Sequence, residues 1–198
     1  MFEPKTDDPF EQFRRWFAEA EASEPNDANA MTLATADTDG RPSVRIVLLK
    51  DVDARGFAFY TNTESQKGRQ LEVNPFAALC FHWKSVRRQV RVEGPVTSVS
   101  EAEADEYYAS RPRGSRLGAW ASQQSRPLAD RPALLSAVAR FEAEYDGKDV
   151  PRPPYWSGYR LTPLRIEFWQ DGEFRLHDRF LFSRPSDGAP WTIQRLFP

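Results

Sequence analysis

Cysteine is nearly missing from this chain. Cys80 stands alone among 198 residues, which excludes a disulfide framework and a cysteine-built metal cluster. Histidine is almost as scarce. His82 and His177 lie far apart with no ligand motif beside either, so no metal site is expected. No run approaches the roughly 18 apolar residues of a membrane-spanning helix, so no membrane partner is expected. The dinucleotide fingerprint, the P-loop and the G-x-S-x-G elbow are all absent, as are internal repeats. Met1 to Asp8 is polar and acidic, without a basic-then-apolar leader, and a cytoplasmic protein is the expectation. Neither sign of charge dominates. The 27 Lys and Arg against 29 Asp and Glu leave a net −2, which argues against a nucleic-acid partner.

What is present suits a globular protein. Hydrophobic residues make up 40% and aromatics 13% of the chain. The charge is unevenly spread. Residues 1–40 carry three basic against ten acidic side chains, whereas residues 41–91 carry ten basic against four acidic. A local basic stretch in an acidic protein suggests a small anionic ligand.

Periodicity gives the elements. Asp8 and Glu11 form a capping-box pattern around Pro9, with Phe10, Phe13 and Phe17 at helical spacing to about Glu21. Short β-type runs follow at Ala30–Ala36, Ser43–Val52 and Phe57–Thr61, separated by turn signals. Ser65 caps a short helix. Phe76–Trp83 and Arg88–Val99 read as two more strands. Ser100 and Glu103 open a helix through Tyr108, and another spans Asp130 to Tyr145. After the prolines at 151–154, strands are expected at Tyr155–Leu161, Arg165–Gln170, Phe174–Ser183 and Trp191–Leu196, with Asp171-Gly172 as a hairpin turn. Roughly eight strands linked mostly by turns predict an antiparallel barrel with three or four helices outside, a mainly β, α+β fold. One domain over residues 1–198 is expected, with the helix and loop of residues 1–29 packed on it, because 48 residues after the prolines are too few to fold alone.

Polar side chains cluster at strand ends and helix starts. Arg45 and Lys50 bracket an apolar run, Tyr60 and Thr61 end a strand, and Ser65 and Lys67 open a helix. Free N–H groups at a helix start and a lysine beside them suit a phosphate monoester. The segment Tyr107 to Ser115, with Arg111 in it, offers donors for a second phosphate. In a strand, Arg175, His177 and Arg179 would share one face. For any one residue of the Arg45–Lys67 group a solvated basic face is the simpler reading, whereas three cationic or switchable groups on the Arg175–Arg179 face would repel one another unless something anionic or aromatic faced them, which favours function there. His82 and Cys80, in one apolar strand, read as core or cross-strand residues.

Taken together, Arg45-Ile-Val-Leu-Leu-Lys50, Tyr60-Thr61-Asn62, Arg88-Gln89-Val90, Ser110-Arg-Pro-Arg113, Gly118-Ala-Trp120, Gln124-Ser125, Ile166-Glu-Phe-Trp169, Arg175-Leu-His-Asp-Arg179 and Arg195-Leu-Phe-Pro198 resemble pyridoxamine 5′-phosphate oxidases. The resemblance runs in order from about Asp8 to the last residue. It implies a split β-barrel and a homodimer with FMN at the subunit interface. It implies flavin contacts from Arg45, Ile46, Val47, Leu48, Leu49, Lys50, Tyr60, Thr61, Gln66, Lys67, Gln89, Gln124, Ser125, Trp169 and Arg179. Gln66 stands where the family often has a basic residue. The substrate phosphate would be held by Lys50, Tyr107, Arg111 and Ser115. Arg175 and His177 would lie against the pyridine ring and serve catalysis. The implied reaction oxidises pyridoxamine or pyridoxine 5′-phosphate to pyridoxal 5′-phosphate, with oxygen as acceptor and hydrogen peroxide as product.

Two other readings compete. A related flavin oxidase of phenazine biosynthesis shares the Ser65–Gly68 type of helix start, but its substrate has no phosphate for Lys50, Tyr107, Arg111 and Ser115 to hold. A non-catalytic barrel that binds FMN or single-stranded nucleic acid fits the aromatics but not the acidic balance.

Overall fold

The computed structural model describes residues 1–198. The chain runs α1 (Pro9–Ser23), β1 (Ala30–Ala36), β2 (Pro42–Leu48), β3 (Asp51–Asp53), β4 (Gly56–Asn62), α2 (Gln66–Val73), β5 (Phe76–Trp83) and β6 (Arg88–Ser98). It continues through α3 (Glu101–Ser110), α4 (Arg113–Ala121), α5 (Arg131–Glu144), β7 (Trp156–Leu161), β8 (Arg165–Gln170), a 3-10 turn (Glu173–Arg175), β9 (Asp178–Ser183) and β10 (Thr192–Leu196). Every strand pairing is antiparallel, in a curled, split-barrel sheet. No helix is long and apolar enough to cross a membrane.

β6 is the pivot. One edge pairs with β5 through Arg88–Pro95; the other pairs first with β8, through Arg88–Glu93, and then with β7, through Val96–Ser98. The ladder divides at Gly94, where a Cβ would stand 2.0 Å from the carbonyl oxygen of Thr162, so only glycine admits the crossing chain. One arm continues to β9 and β10 and the other to β4 and β3.

Aromatics fill the space between the arms and α1. Phe13 is fully buried and lies 4.9 Å from Phe57 and 5.1 Å from Phe81, while Trp16 meets Phe168 edge-on at 5.3 Å. Deleting one such ring costs about 3–5 kcal/mol, which makes α1 part of the core rather than an appendage. Asp8 caps α1 by accepting from the Phe10 N–H at 2.8 Å. Glu11 does not complete a capping box; its carboxylate takes the Thr6 hydroxyl instead.

Several sequence expectations change. The Ser43–Val52 run breaks after Leu48, because Leu49 turns into the core and its N–H bonds Asn29 O rather than a strand neighbour. Helix α4 was not anticipated; it opens on Pro112 without a side-chain cap and buries only Leu117. His82 is exposed on the outer face of β5, opposite Gln89. Phe174–Ser183 is not one strand. Phe174 (φ 55°) and Arg175 (φ 64°) take left-handed conformations, and β9 starts only at Asp178. Arg175 therefore does not share a strand face with His177 and Arg179.

Candidate functional site

Strand β2, the end of β4, the start of α2, and helices α3 and α4 enclose a groove of about 670 Å³. Its lining includes Arg45, Ile46, Val47, Leu48 and Lys50 from β2 and the residues just after it, and Tyr60, Thr61 and Lys67 from β4 and α2. Tyr107, Arg111, Ser115 and Gln124 face them from the helical side. Residues far apart in sequence thus meet in one place, with the volume expected of a ligand site.

Each wall has a local cause. Ser65 caps α2, taking the Gly68 N–H at 3.4 Å, and this turns Lys67 inward. The Lys67 ammonium donates to Gln124 Oε1 at 2.8 Å, Thr61 Oγ1 at 3.2 Å and Ser65 Oγ at 3.3 Å. Arg45 donates to Thr35 Oγ1 at 2.6 Å, and to Leu33 O, Ser43 Oγ and Gln70 Oε1 at 3.2 Å. These partners are all neutral. The Ser100–Glu103 capping box forms as expected and sets α3, which stacks Tyr107 on Tyr60 at 4.1 Å. Tyr108 then donates to Arg116 O at 3.0 Å, tying α4 beside α3.

The electrostatics are unusual. The groove lining holds four cations, Arg45, Lys50, Lys67 and Arg111, and no Asp or Glu. None of the four has a carboxylate within ion-pair distance, whereas arginines elsewhere are commonly paired, as Arg160 and Arg179 are. Burial, followed by the charge of Arg45, pulls the Lys67 amine down to about 8. Burial also lowers Arg45 and Arg111. Arg111 lies 4.8 Å over the Trp156 ring, and its Nη1 is buried without a hydrogen-bond partner. Lys50 sits 5.7 Å above Tyr107. Desolvated cations without counter-charges are costly unless an anion joins them.

The remaining expected residues fall elsewhere. Leu49 points into the core, Gln66 is exposed on the first turn of α2, and Ser125 (φ 71°) follows Gln124 outside the groove. Gln89, Trp169, Arg175, His177 and Arg179 form a second cluster around the start of β9. Gln89 is registered against Trp169, and the Trp169 and His177 rings are 4.6 Å apart. Asp171 Oδ1 lies 3.2 Å from His177 Nδ1. Arg179 is bidentate on Glu167 at 2.9 and 3.1 Å, and Arg91 reaches the same carboxylate at 2.5 Å. Arg175 is exposed beside Phe174 and Leu176, which are 91% and 70% exposed.

Trp156, Asn62, Ser122, Gly118 and Ala119 also line the groove and were not singled out as site residues. Trp156 follows Pro154 with only Tyr155 between them, and an aromatic pair at the end of so stiff a connector was the available signal.

Residues 17–169 match the family described as pyridoxamine 5′-phosphate oxidase, and residues 156–198 match the pyridoxine 5′-phosphate oxidase C-terminal dimerisation region. Proteins named pyridoxine/pyridoxamine 5′-phosphate oxidase from Brucella canis and Brucella suis are 62% identical over 191 residues, covering 96% of this chain and 94% of each relative. Among solved structures, PhzG from Burkholderia lata, in complex with tetrahydrophenazine-1-carboxylic acid, superposes with a TM-score of 0.92 at 34% identity, covering 100% of this chain and 98% of that one. A pyridoxamine 5′-phosphate oxidase-related, FMN-binding protein from Nostoc punctiforme shares the fold, with a TM-score of 0.76 at 20% identity, 96% of this chain and 98% of that one. With both matches in register along almost its whole length, the chain belongs to the pyridoxamine 5′-phosphate oxidase family of oxidoreductases.

Proposed function

We propose that this chain is an FMN-dependent oxidase that converts pyridoxamine 5′-phosphate and pyridoxine 5′-phosphate to pyridoxal 5′-phosphate. For the amine, substrate, oxygen and water give the aldehyde, ammonia and hydrogen peroxide. The observation that carries the reading is the groove with four cations and no carboxylate. They form two sets. Arg45 and Lys67 lie together among neutral donors and acceptors, a fit for the phosphate of FMN. Lys50 and Arg111, with Tyr107 and Ser115, form the other and would take the substrate phosphate. The orphaned Arg111 Nη1 is the donor such a phosphate would satisfy.

When bound, FMN supplies the hydride acceptor and its reoxidation by oxygen. The chain's own task is then positioning and charge. Thr61 and Gln124 orient the Lys67 ammonium, and the Arg111 guanidinium lies over the Trp156 ring. Arg175 and His177 would face the pyridine ring, and Gln89, Trp169 and Arg179 the flavin, in the groove of a second copy. Support for a homodimer comes from the C-terminal dimerisation match and from exposed apolar side chains on β2, where Val44 is 66% and Ile46 64% exposed. We read residues 1–198 as one unit, since β6 pairs with strands from both sides of the proline cluster.

Peroxide release on adding pyridoxamine 5′-phosphate to FMN-loaded protein tests the reading. Turnover of phosphorylated substrate is expected, with little on tetrahydrophenazine carboxylate. The reverse preference would favour a PhzG-like activity, and no peroxide with either would leave a binding barrel.

A further inference from the structure

We infer that Arg160 is a positioning residue that draws Asp51 and Glu103 away from Lys50, so that the groove stays open to a phosphate. This rests on the proposed phosphate site and adds to it a residue outside the groove lining.

Arg160 lies on β7 with its side chain 7% exposed. Its Nη1 is 3.2 Å from Asp53 Oδ1 and 3.4 Å from Asp51 Oδ2; its Nη2 is 2.9 Å from Glu103 Oε1. Asp51 follows Lys50 directly in the chain. Glu103 sits one turn before Tyr107 on α3, and Lys50 lies over the Tyr107 ring. The network abuts the groove, because the Tyr60 hydroxyl, in the lining, reaches Glu103 O at 3.5 Å. Asp51 thus neighbours Lys50 along the chain, and Glu103 stands one helical turn from the ring that Lys50 overlies. A carboxylate on Lys50 would cancel the charge a phosphate needs. The buried guanidinium holds both carboxylates with a geometry an ammonium cannot match, since its fork meets several oxygens at once. Arg55 adds a second cation on Asp53 and Glu103 at the outer rim.

The experiment is calorimetric titration of FMN-loaded protein with pyridoxal 5′-phosphate and with pyridoxal. Arg160→Met should weaken the phosphorylated ligand about tenfold or more, the size of one charge-assisted contact, and leave pyridoxal unchanged. The triple variant R160M/D51N/E103Q should recover to within about threefold of wild type, because the competing charges are gone. A loss in R160M that the triple variant does not recover overturns the inference and makes Arg160 a plain clamp between β3, α3 and β7. No loss in R160M overturns it too. Should R160M not fold, the double variant D51N/E103Q decides. Arg160 already holds both carboxylates off Lys50, so with their charge removed the phosphorylated ligand should bind within about threefold of wild type, and a change of about tenfold or more in either direction overturns the inference. A wild type that binds both ligands equally removes the phosphate site itself, and this inference with it.

Discussion

The groove and the loop that opens β9 are built on opposite plans. In the groove the charges are unsettled and the aromatic rings are settled: Arg111 has a buried, unsatisfied Nη1, while Trp156 and Tyr60 are stacked on neighbours. In the loop the charges are largely settled and the apolar surface is not. Glu167 takes Arg179 and Arg91, and Asp171 takes Arg87 and approaches His177, yet Phe174 and Leu176 stand in solvent. A region whose polar groups lack partners is complementary to a small charged molecule. A region whose apolar groups lack partners is complementary to a protein surface. The loop also holds two adjacent left-handed residues without glycine, strain that the surrounding structure must overcome.

Groove and loop should respond differently to four changes. The largest effect belongs to Arg111→Ala. Wild type should prefer pyridoxamine phosphate over pyridoxamine by a large factor in kcat/KM. Losing one charge-assisted contact of about 1.5–3 kcal/mol should shrink that preference roughly 10- to 150-fold. Kinetics on both amines decide, and an undiminished preference would detach Arg111 from the phosphate.

Next is the loop. Phe174→Asp places a charge where an apolar contact is proposed, and removal of a buried interface anchor costs about 2 kcal/mol, roughly thirtyfold in dimer affinity. Sedimentation over a concentration series should show earlier dissociation with loss of flavin. A dimer as tight as wild type would remove the loop from the interface.

Lys67 gives a pH effect. Its folded value of about 8 lies below the ordinary 10.5, so between these two the unfolded chain binds the proton and the folded chain does not. Stability of the flavin-free protein should therefore rise as pH climbs from about 8 toward 10.5, and FMN affinity should fall over the same window as the ammonium is lost. Urea midpoints at either end of the window, in wild type and Lys67→Met, are the measurement. The same rise in the variant would place its source in another group.

The smallest effect is Gln66→Arg. The side chain is exposed on the first turn of α2, so an added cation should tighten FMN only by a few tenths to about 1 kcal/mol, visible at low salt. An unchanged affinity at low salt would mean that the flavin phosphate lies beyond its reach.

Much of the fold was legible where one local rule governs. The Ser100–Glu103 box forms, and the alternation in β1 buries Met31, Leu33 and Thr35 as a half-buried strand should. Legibility fails where tertiary contact overrides local pattern. Leu48 and Leu49 continue an apolar run, yet one faces outward and the other enters the core under the α1–β1 loop. Helix α4 carries Gly114 and Gly118 and begins after a proline with no cap, so its signal was weak. The Arg175–Arg179 face looked continuous because Asp171-Gly172 reads as a complete tight turn, and no glycine or proline after it signals that the chain turns again through Phe174 and Arg175. The groove residues could be named one by one from motifs. That Gln89, Trp169, Arg175, His177 and Arg179 would stand apart from them could not, because that follows from how β6 divides its edge between β7 and β8.

The division of β6 also has a consequence in time. β5 and β6 can zip together as soon as they leave the ribosome, since only a short turn separates them. The other edge of β6 must wait while α3, α4, α5 and the proline cluster are synthesised, because its partners β7 and β8 come after all of them. Until then a long strand with Val90, Val92 and Val96 offers open hydrogen-bonding groups to any passing strand. Sheet closure over so large a loop is slow, and nascent chains are at risk of mispairing during that interval. Chains released before Trp156 should therefore aggregate through this edge, and the last quarter of the sequence acts as the closing seam of the whole sheet.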